Sequence, residues 1–177
     1  MDDAGASALS ALRSVAHPVR LRILSMLTAE AMSAAEVARA LDLTHANASY
    51  HLRVLHDAGE LVVESEERIR GGVAKRYRYA VGGDPARVPS HLSKAEDHIA
   101  WQHATNSEVV RRLAHITTGP ESSSDIETWV APDVWRTAVT AISTAMVALH
   151  EAARPPGTEG TVHVSASSLA FMMGDDG

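Results

Sequence analysis

The segment from residue 33 to residue 55, SAAEVARALDLTHANASYHLRVL, most constrains the fold of this chain. It predicts two short helices separated by a tight turn. Ser33 and Glu36 match a capping box, in which the hydroxyl and the carboxylate each accept a free backbone N–H at the start of a helix. Apolar residues then recur at steps of three and four as far as Leu41. Thr44 is suited to cap the second helix, and because the link at 42–44 is short, the two helices must cross steeply.

The predicted second helix divides its residues between an apolar face and a polar face. Ala48, Leu52 and Leu55 fall on the apolar face. The alternative interpretation is an ordinary solvated surface helix, but the polar face has none of the Glu and Lys residues typical of one. Its side chains can instead bond base edges or phosphates in a DNA major groove. The predicted base-reading residues are His45, Asn47, Ser49, Tyr50 and Arg53, with Thr44 predicted to contact the DNA backbone.

A basic β-hairpin is predicted directly after this helix. Gly59 is placed to end the helix, and an extended segment begins at Leu61. Residues 67–74 are predicted to hold a Gly71-Gly72 turn, after which KRYRYAV returns as a second strand. Alternation along the return strand separates Lys75, Tyr77 and Tyr79 from Arg76 and Arg78, so one face can pack on the helices while the other stays charged. The predicted DNA-backbone contacts of this wing are Arg68, Arg70, Lys75, Arg76 and Arg78.

Three segments together share the motif order of a known family. They are ALRSVAHPVRLRILSML for the first two helices, AAEVARALDLTHANASYHLRVLHDAGEL for the reading unit and AKRYRYAV for the wing. Residues 8–80 therefore resemble the winged helix-turn-helix domain of the ArsR family of bacterial transcription regulators. The residues that carry the resemblance are Pro18, Arg20 and Ile23, Thr44 through Ser49, His51-Leu52 and Leu55, and Ala58-Gly59-Glu60-Leu61.

The resemblance implies a homodimer that binds an inverted-repeat operator in double-stranded DNA and usually represses, in response to a signal. Many metal-sensing members carry a Cys-Val-Cys type motif where this chain has residues 32–36, and the chain contains no cysteine. The Asp and His spacing of the family's other metal site is also not matched. We therefore expect no metal or other cofactor and a non-thiol signal. An alternative metal-responsive regulator would have to use His91, His98 and His103.

The second half of the chain is predicted to form a separate region. Gly and Pro residues in 81–92 indicate a linker between a DNA-binding domain at 1–80 and a C-terminal region at 93–177. That region is predicted to hold a helix from Ser93 to His115, a loop at 117–125, and a second helix opened by Pro132. Extended segments at 128–130 and 161–172 are expected to pair as strands. The fold class is mainly α with a small β-wing (α+β): a winged helix-turn-helix domain plus a C-terminal helical region with a short sheet.

The C-terminal region is expected to dimerise and is the candidate region for sensing a small-molecule effector. The second helix carries a narrow apolar stripe suited to a partner helix. Aromatic residues and methionine could also line a cavity, although such residues more often belong to a core. The predicted dimer-interface residues are Ile99, Trp135, Ala138, Ile142 and Leu149, and the candidate cavity residues are Trp101, Trp129, Trp135, Phe171 and Met172.

The net charge of -6 is distributed unevenly. Residues 1–80 carry ten Lys and Arg and ten Asp and Glu, whereas residues 81–177 carry six and twelve. The predicted DNA-binding half is therefore neutral, and affinity for DNA should be modest and steeply salt-dependent. The acidic start at 1–3 does not match a signal peptide, and no apolar run reaches membrane length, so the protein is expected in the cytoplasm, away from membranes.

The sequence offers little for an enzyme, and no catalytic residue is predicted. His150-Glu151 lacks the second histidine of a zinc-protease motif, because Arg154 stands at that position. There is no phosphate-binding glycine loop, no Gly-x-Ser-x-Gly elbow and no cysteine nucleophile. The remaining alternative is a winged helix that contacts only proteins, against which the arginines of the wing and the reading helix argue.

Overall fold

The computed structural model describes residues 16–69, 72–79 and 95–174. These ranges contain five helices and one three-stranded antiparallel sheet, which is the winged-helix α+β fold that the sequence predicts. The predicted linker at 81–92, with His91, lies outside the described residues, as do Arg70 and residues 8–15. The elements are α1 (Pro18–Ala29), β1 (Met32–Ser33), α2 (Ala34–Leu41), α3 (His45–Asp57), β2 (Leu61–Ile69), β3 (Gly72–Tyr79), α4 (Ala95–Leu113) and α5 (Pro132–Glu151).

Side-chain caps set the starts of α2 and α3, as the sequence predicts. The Ser33 backbone N–H donates to the Glu36 carboxylate at 2.7 Å, and the Glu36 N–H donates to the Ser33 hydroxyl at 3.4 Å. Thr44 Oγ1 accepts the Asn47 N–H at 3.2 Å. Each cap satisfies a backbone donor that the first turn of a helix leaves without an intrahelical partner.

The turns around α3 use two residues in the left-handed conformation. Asp42, which ends α2, has φ 53° and lets the Leu43 N–H donate to the Ala38 carbonyl at 2.8 Å. Gly59 follows α3 with φ 77°. Its N–H donates to the His56 carbonyl at 2.9 Å, and the next N–H donates to the Leu55 carbonyl at 3.0 Å, which is a Schellman closure. The chain therefore leaves α3 in a defined direction toward β2.

The sheet has the order β1-β3-β2. The β2–β3 hairpin pairs continuously in register from Leu61↔Tyr79 to Ile69↔Gly72, apart from a shift between Val63 and Ser65. The strands thus run further toward the tip than predicted, because residues 67–69 and 72–74 belong to the ladder and not to the turn. The two-residue strand β1 was not predicted; it pairs Ser33 with Arg76 and ties the hairpin to the start of α2.

One apolar core joins α1, α2, α3 and β2. Partly buried side chains from the hairpin and from α4 pack against it, including Tyr77, Tyr79 and Trp101. The core is built from residues that recur at helical spacing, so its formation fixes which face of α3 points inward. The largest fully buried side chains are Ile23, Leu27, Val37, Leu52, Leu55 and Leu61.

The C-terminal region differs from its prediction. Residues 114–131 and 152–174 form no strand, so the short sheet expected from 128–130 and 161–172 is wrong. An extended segment forms a strand only where a neighbouring strand accepts and donates its backbone hydrogen bonds. Alternation of residue type does not show that such a neighbour exists. The described residues also do not bring the candidate aromatic residues together in one cavity or one core: Trp101 packs on the winged-helix core, while Trp129 is 88% exposed and Phe171 is exposed.

None of the helices in the described ranges is long and apolar enough to cross a lipid bilayer. Helix α5 has no buried residue at all. Helix α4 buries Ala104, Thr105 and Glu108, and it packs along α1. The described chain therefore concentrates its core in the winged-helix half.

Leu52→Ala should lower the free energy of unfolding by about 2–5 kcal/mol, because a cavity would replace a side chain enclosed by three helices. The matched control is Arg39→Ala on the exposed face of α2, with an expected change within about 0.5 kcal/mol. Urea titration followed by circular dichroism measures both. Equal stability of the two variants would contradict the proposed core.

Candidate nucleic-acid interface

The outer face of α3 presents the predicted base-reading residues together. His45, Asn47 and Arg53 are exposed, Tyr50 is 52% exposed and Ser49 is partly buried. Ala48, Leu52 and Leu55 are buried on the opposite face. The predicted division of faces is confirmed, whereas the groups that these side chains contact on DNA stay a prediction. Thr44 is exposed at the helix start, with its hydroxyl engaged in the cap.

A polar contact under α3 joins this helix to the start of α1. His51 of α3 is buried, with 6% of its surface exposed. The Arg20 Nε donates to its Nδ1 at 3.4 Å, and the ring of His17 lies 5.2 Å from its ring. Burial lowers the pKa of His51, and the charges of Arg20 and His17 lower it further. A neutral imidazole is the form that can accept this hydrogen bond.

His17 serves two purposes at the same place. Its Nδ1 accepts the Val19 N–H at 3.2 Å and caps α1, while its ring lies against His51. Burial, with a contribution from Arg20, lowers its pKa as well. The amino end of α1 therefore lies beside α3 where the rings of His17 and His51 meet.

The cations of the wing pair with carboxylates of the protein. Lys75 Nζ lies 3.8 Å from Glu66 Oε1, and the Arg78 guanidinium forms an ion pair with Glu64. Both pairs lie within the hairpin and are solvent-accessible, so they are weak and exchangeable. Arg68 is exposed near the end of β2. The described wing is therefore less electropositive than its arginine count suggests.

Arg76 is placed differently from its prediction. Its Nη1 lies 2.9 and 3.1 Å from the two carboxylate oxygens of Glu36, and its Nη2 donates to the Ala31 carbonyl at 2.5 Å. The sequence predicts that Arg76 and Arg78 share a charged face that contacts DNA, whereas in the structure Arg76 reaches across β1 to the cap of α2. The alternation of residues along β3 predicts the side of the sheet on which Arg76 lies. It does not predict how far the side chain extends or which groups it contacts.

The same contacts act on Glu36. The Ser33 backbone N–H holds the pKa of the Glu36 carboxyl below its usual value against the opposing effect of burial, and the Ser33 hydroxyl and Arg76 contribute in the same direction. Glu36 is thus an ionised group that serves the helix cap and the wing together.

Comparison with known families agrees with this geometry. Residues 15–64 match the family model described as a helix-turn-helix domain. These residues form a helix-turn-helix domain. The match runs from before α1 into β2 and includes the entire reading unit. A search of curated proteins finds no match to this chain.

Outside the helix-turn-helix domain, the predicted C-terminal residues lie on an open surface. Ile99, Ile142 and Leu149 are exposed, as is Ala138, and Trp135 is partly buried. Their role in a dimer stays a prediction. His98 is partly buried and His103 is exposed, and the described residues hold no cluster of three or more potential metal ligands.

A shallow cleft joins the end of α5 to the base of the wing. It has a volume of about 380 Å³ and is lined by Thr28, Tyr79, His150 and Arg154 among others. The rings of Tyr79 and His150 lie 5.6 Å apart. Burial, with a contribution from Glu60, raises the pKa of Tyr79 to about 12, and burial lowers the pKa of His150. The sequence did not indicate this contact, because its partners are 71 positions apart.

The free energy of unfolding should fall as pH is lowered below the ordinary histidine pKa of about 6.5. The folded-state pKa values of His17, His51 and His150 lie below the ordinary value of 6.5, so the unfolded chain takes up protons first. His51→Asn, which keeps an acceptor, should make this fall smaller. Urea titrations near pH 7.5 and near pH 5.5 measure the difference, with the exposed His103→Gln as control. A His51→Asn variant with the parent's pH dependence would be contrary to this expectation.

Proposed function

We propose that this chain is a sequence-specific DNA-binding transcription regulator of the ArsR type, with α3 as its reading helix, and that it is not an enzyme. The observation that carries the proposal is the exposed polar face of α3 opposite a fully buried apolar face. An α-helix fits the major groove of B-form DNA, and amide, hydroxyl and guanidinium groups can bond base edges there. A capped and internally braced helix presents those groups at low conformational cost.

The residues divide into two roles in this proposal. Asn47, Ser49 and Tyr50 contact base edges, while His45 and Arg53 contact either bases or phosphates. Thr44 lies where the helix start approaches the DNA backbone. On the wing, Arg68 and Arg70 contact phosphates, and Lys75 and Arg78 do so when they exchange their carboxylate partners for phosphate oxygens.

The regulator works as a homodimer on an inverted-repeat operator and acts as a repressor. A two-fold dimer places two reading helices in successive major grooves about 34 Å apart. Apolar side chains of α5 and of the segments around it are exposed, and monomers rarely expose so much apolar surface. This exposure supports the proposal that a second copy of the chain covers them. The absence of cysteine supports a non-thiol signal, with a small-molecule effector or a His/carboxylate-bound metal as the two kinds to test.

Selection of duplexes from a random-sequence pool, followed by competition binding, tests DNA recognition. Asn47→Ala and Tyr50→Ala should each reduce discrimination against altered sites by about 1–3 kcal/mol. Arg53→Ala should weaken binding to all duplexes. Arg39→Ala, on the neighbouring helix, is the control.

Failure of the parent protein to retain any duplex in excess competitor DNA would refute the proposed function. The winged helix that only contacts proteins would then be favoured, in keeping with the paired cations of the wing. If the parent protein retains a specific duplex and every α3 variant binds that duplex as the parent does, the reading face is assigned wrongly.

Ile142→Glu should convert the homodimer to a monomer and weaken operator binding at least tenfold, because a charge would enter the apolar contact. Thr140→Glu, on the opposite side of α5, should leave the dimer intact. Sedimentation velocity at several concentrations measures the assembly. A parent protein that is monomeric at every concentration would contradict the proposed dimer.

A further inference from the structure

One guanidinium connects three parts of the domain. Arg76 lies on β3, its carbonyl partner Ala31 precedes β1, and its carboxylate partner Glu36 is in the first turn of α2. The backbone register supports the same contact, because β3 pairs with β1 at Ser33↔Arg76, and Ser33 is the cap that Glu36 completes. Side chain and backbone thus join the wing to the start of the helix-turn-helix at one point.

This pair differs from the other ion pairs of the wing. Lys75 with Glu66 and Arg78 with Glu64 connect β3 only to β2, within the hairpin itself. The pair of Arg76 with Glu36 spans 40 positions and leaves the hairpin. Each of its two side chains is 31% exposed, and so it is screened less by water than the pair of Lys75 and Glu66 at 50% and 55%.

A phosphate contact would remove Arg76 from these partners. Both carboxylate oxygens of Glu36 and the Ala31 carbonyl would lose a charge-assisted donor together. A phosphate contact would have to replace all of these bonds, and at an exposed site it would be screened by water and salt. The geometry therefore favours the internal arrangement.

We propose that Arg76 is a positioning residue, which holds the wing at a defined angle to the reading unit by binding Glu36 and Ala31, and does not contact DNA phosphate. The inference rests on the proposed DNA-binding function. Helix α2 leads into α3 through the turn at Asp42, so a brace at the start of α2 also sets the relation between wing and reading helix.

Glu36→Gln is the decisive variant, because glutamine also completes a capping box but carries no charge for Arg76. If Arg76 positions the wing, this variant should bind a duplex recovered by the parent protein about fivefold more weakly. If Arg76 contacts phosphate, the same change would release the guanidinium and remove a negative charge, so binding would become tighter. Tighter binding would overturn the proposal.

Arg76 variants supply the second arm. Arg76→Gln should weaken binding without changing the slope of log affinity against log salt, whereas loss of a phosphate contact would reduce that slope by about 1. Arg76→Lys should behave like Arg76→Gln, because lysine keeps the charge but lacks the planar fork that spans two acceptors. The double variant of Glu36→Gln and Arg76→Gln should bind no more weakly than either single variant.

Glu64→Gln is the matched control, since it removes a carboxylate from an arginine within the hairpin. It should leave binding unchanged or make it tighter, as the released Arg78 gains access to phosphate. If Glu64→Gln weakens DNA binding as much as Glu36→Gln does, removal of the carboxylate partner of either arginine has the same effect. That result would overturn the specific role of Arg76.

Amide hydrogen exchange without DNA separates failure of the inference from failure of the proposed function. Exchange should accelerate in β1 and β3 of Glu36→Gln, with α1 protected as in the parent, and should be unchanged there in Glu64→Gln. Unchanged exchange in Glu36→Gln refutes the brace whether or not the protein binds DNA. Faster exchange in Glu36→Gln, together with a parent protein that retains no duplex, would refute the DNA-binding function and leave the brace standing.

Discussion

The burial of one face of α3 is the contact on which the rest of the domain depends. Leu52 and Leu55 belong to the same buried cluster as Ile23 of α1 and Val37 of α2, and all four side chains are enclosed. Once the apolar face of an amphipathic helix packs inward, its polar face must point outward. The same contact that stabilises the fold therefore exposes Asn47, Tyr50 and Arg53, and a separate arrangement is not needed to present the candidate reading face.

Polar contacts add orientation to this core. Arg20 with His51 fixes α1 beneath the reading helix, and Arg76 with Glu36 connects the wing to the start of α2. Apolar packing is tolerant of small rotations, whereas hydrogen bonds to charged groups have defined lengths and directions. The fold therefore uses apolar contacts to hold α3 in the core, and polar contacts to orient α1 and the wing around it.

The C-terminal region follows a different principle. Its helix α5 has an apolar stripe and no buried residue, and its main described contact with the winged helix is at His150 beside Tyr79. Single helices of this kind obtain most of their stability from packing. Within the described residues, no core covers this stripe.

Local sequence determined the winged-helix helices, the caps of α2 and α3, the hairpin and the exposed face of α3, because capping and helical periodicity act over three or four residues. Only the tertiary structure decided what Arg76, His51 and the C-terminal aromatic residues do. The partners of Arg76 and His51 lie 40 and 31 positions away, and strands at 128–130 and 161–172 would have required neighbours that the alternation pattern does not specify. The contacts of a long side chain, and the pairing of a strand, depend on which residues the completed fold places beside them. A local sequence pattern does not show which distant residues these are.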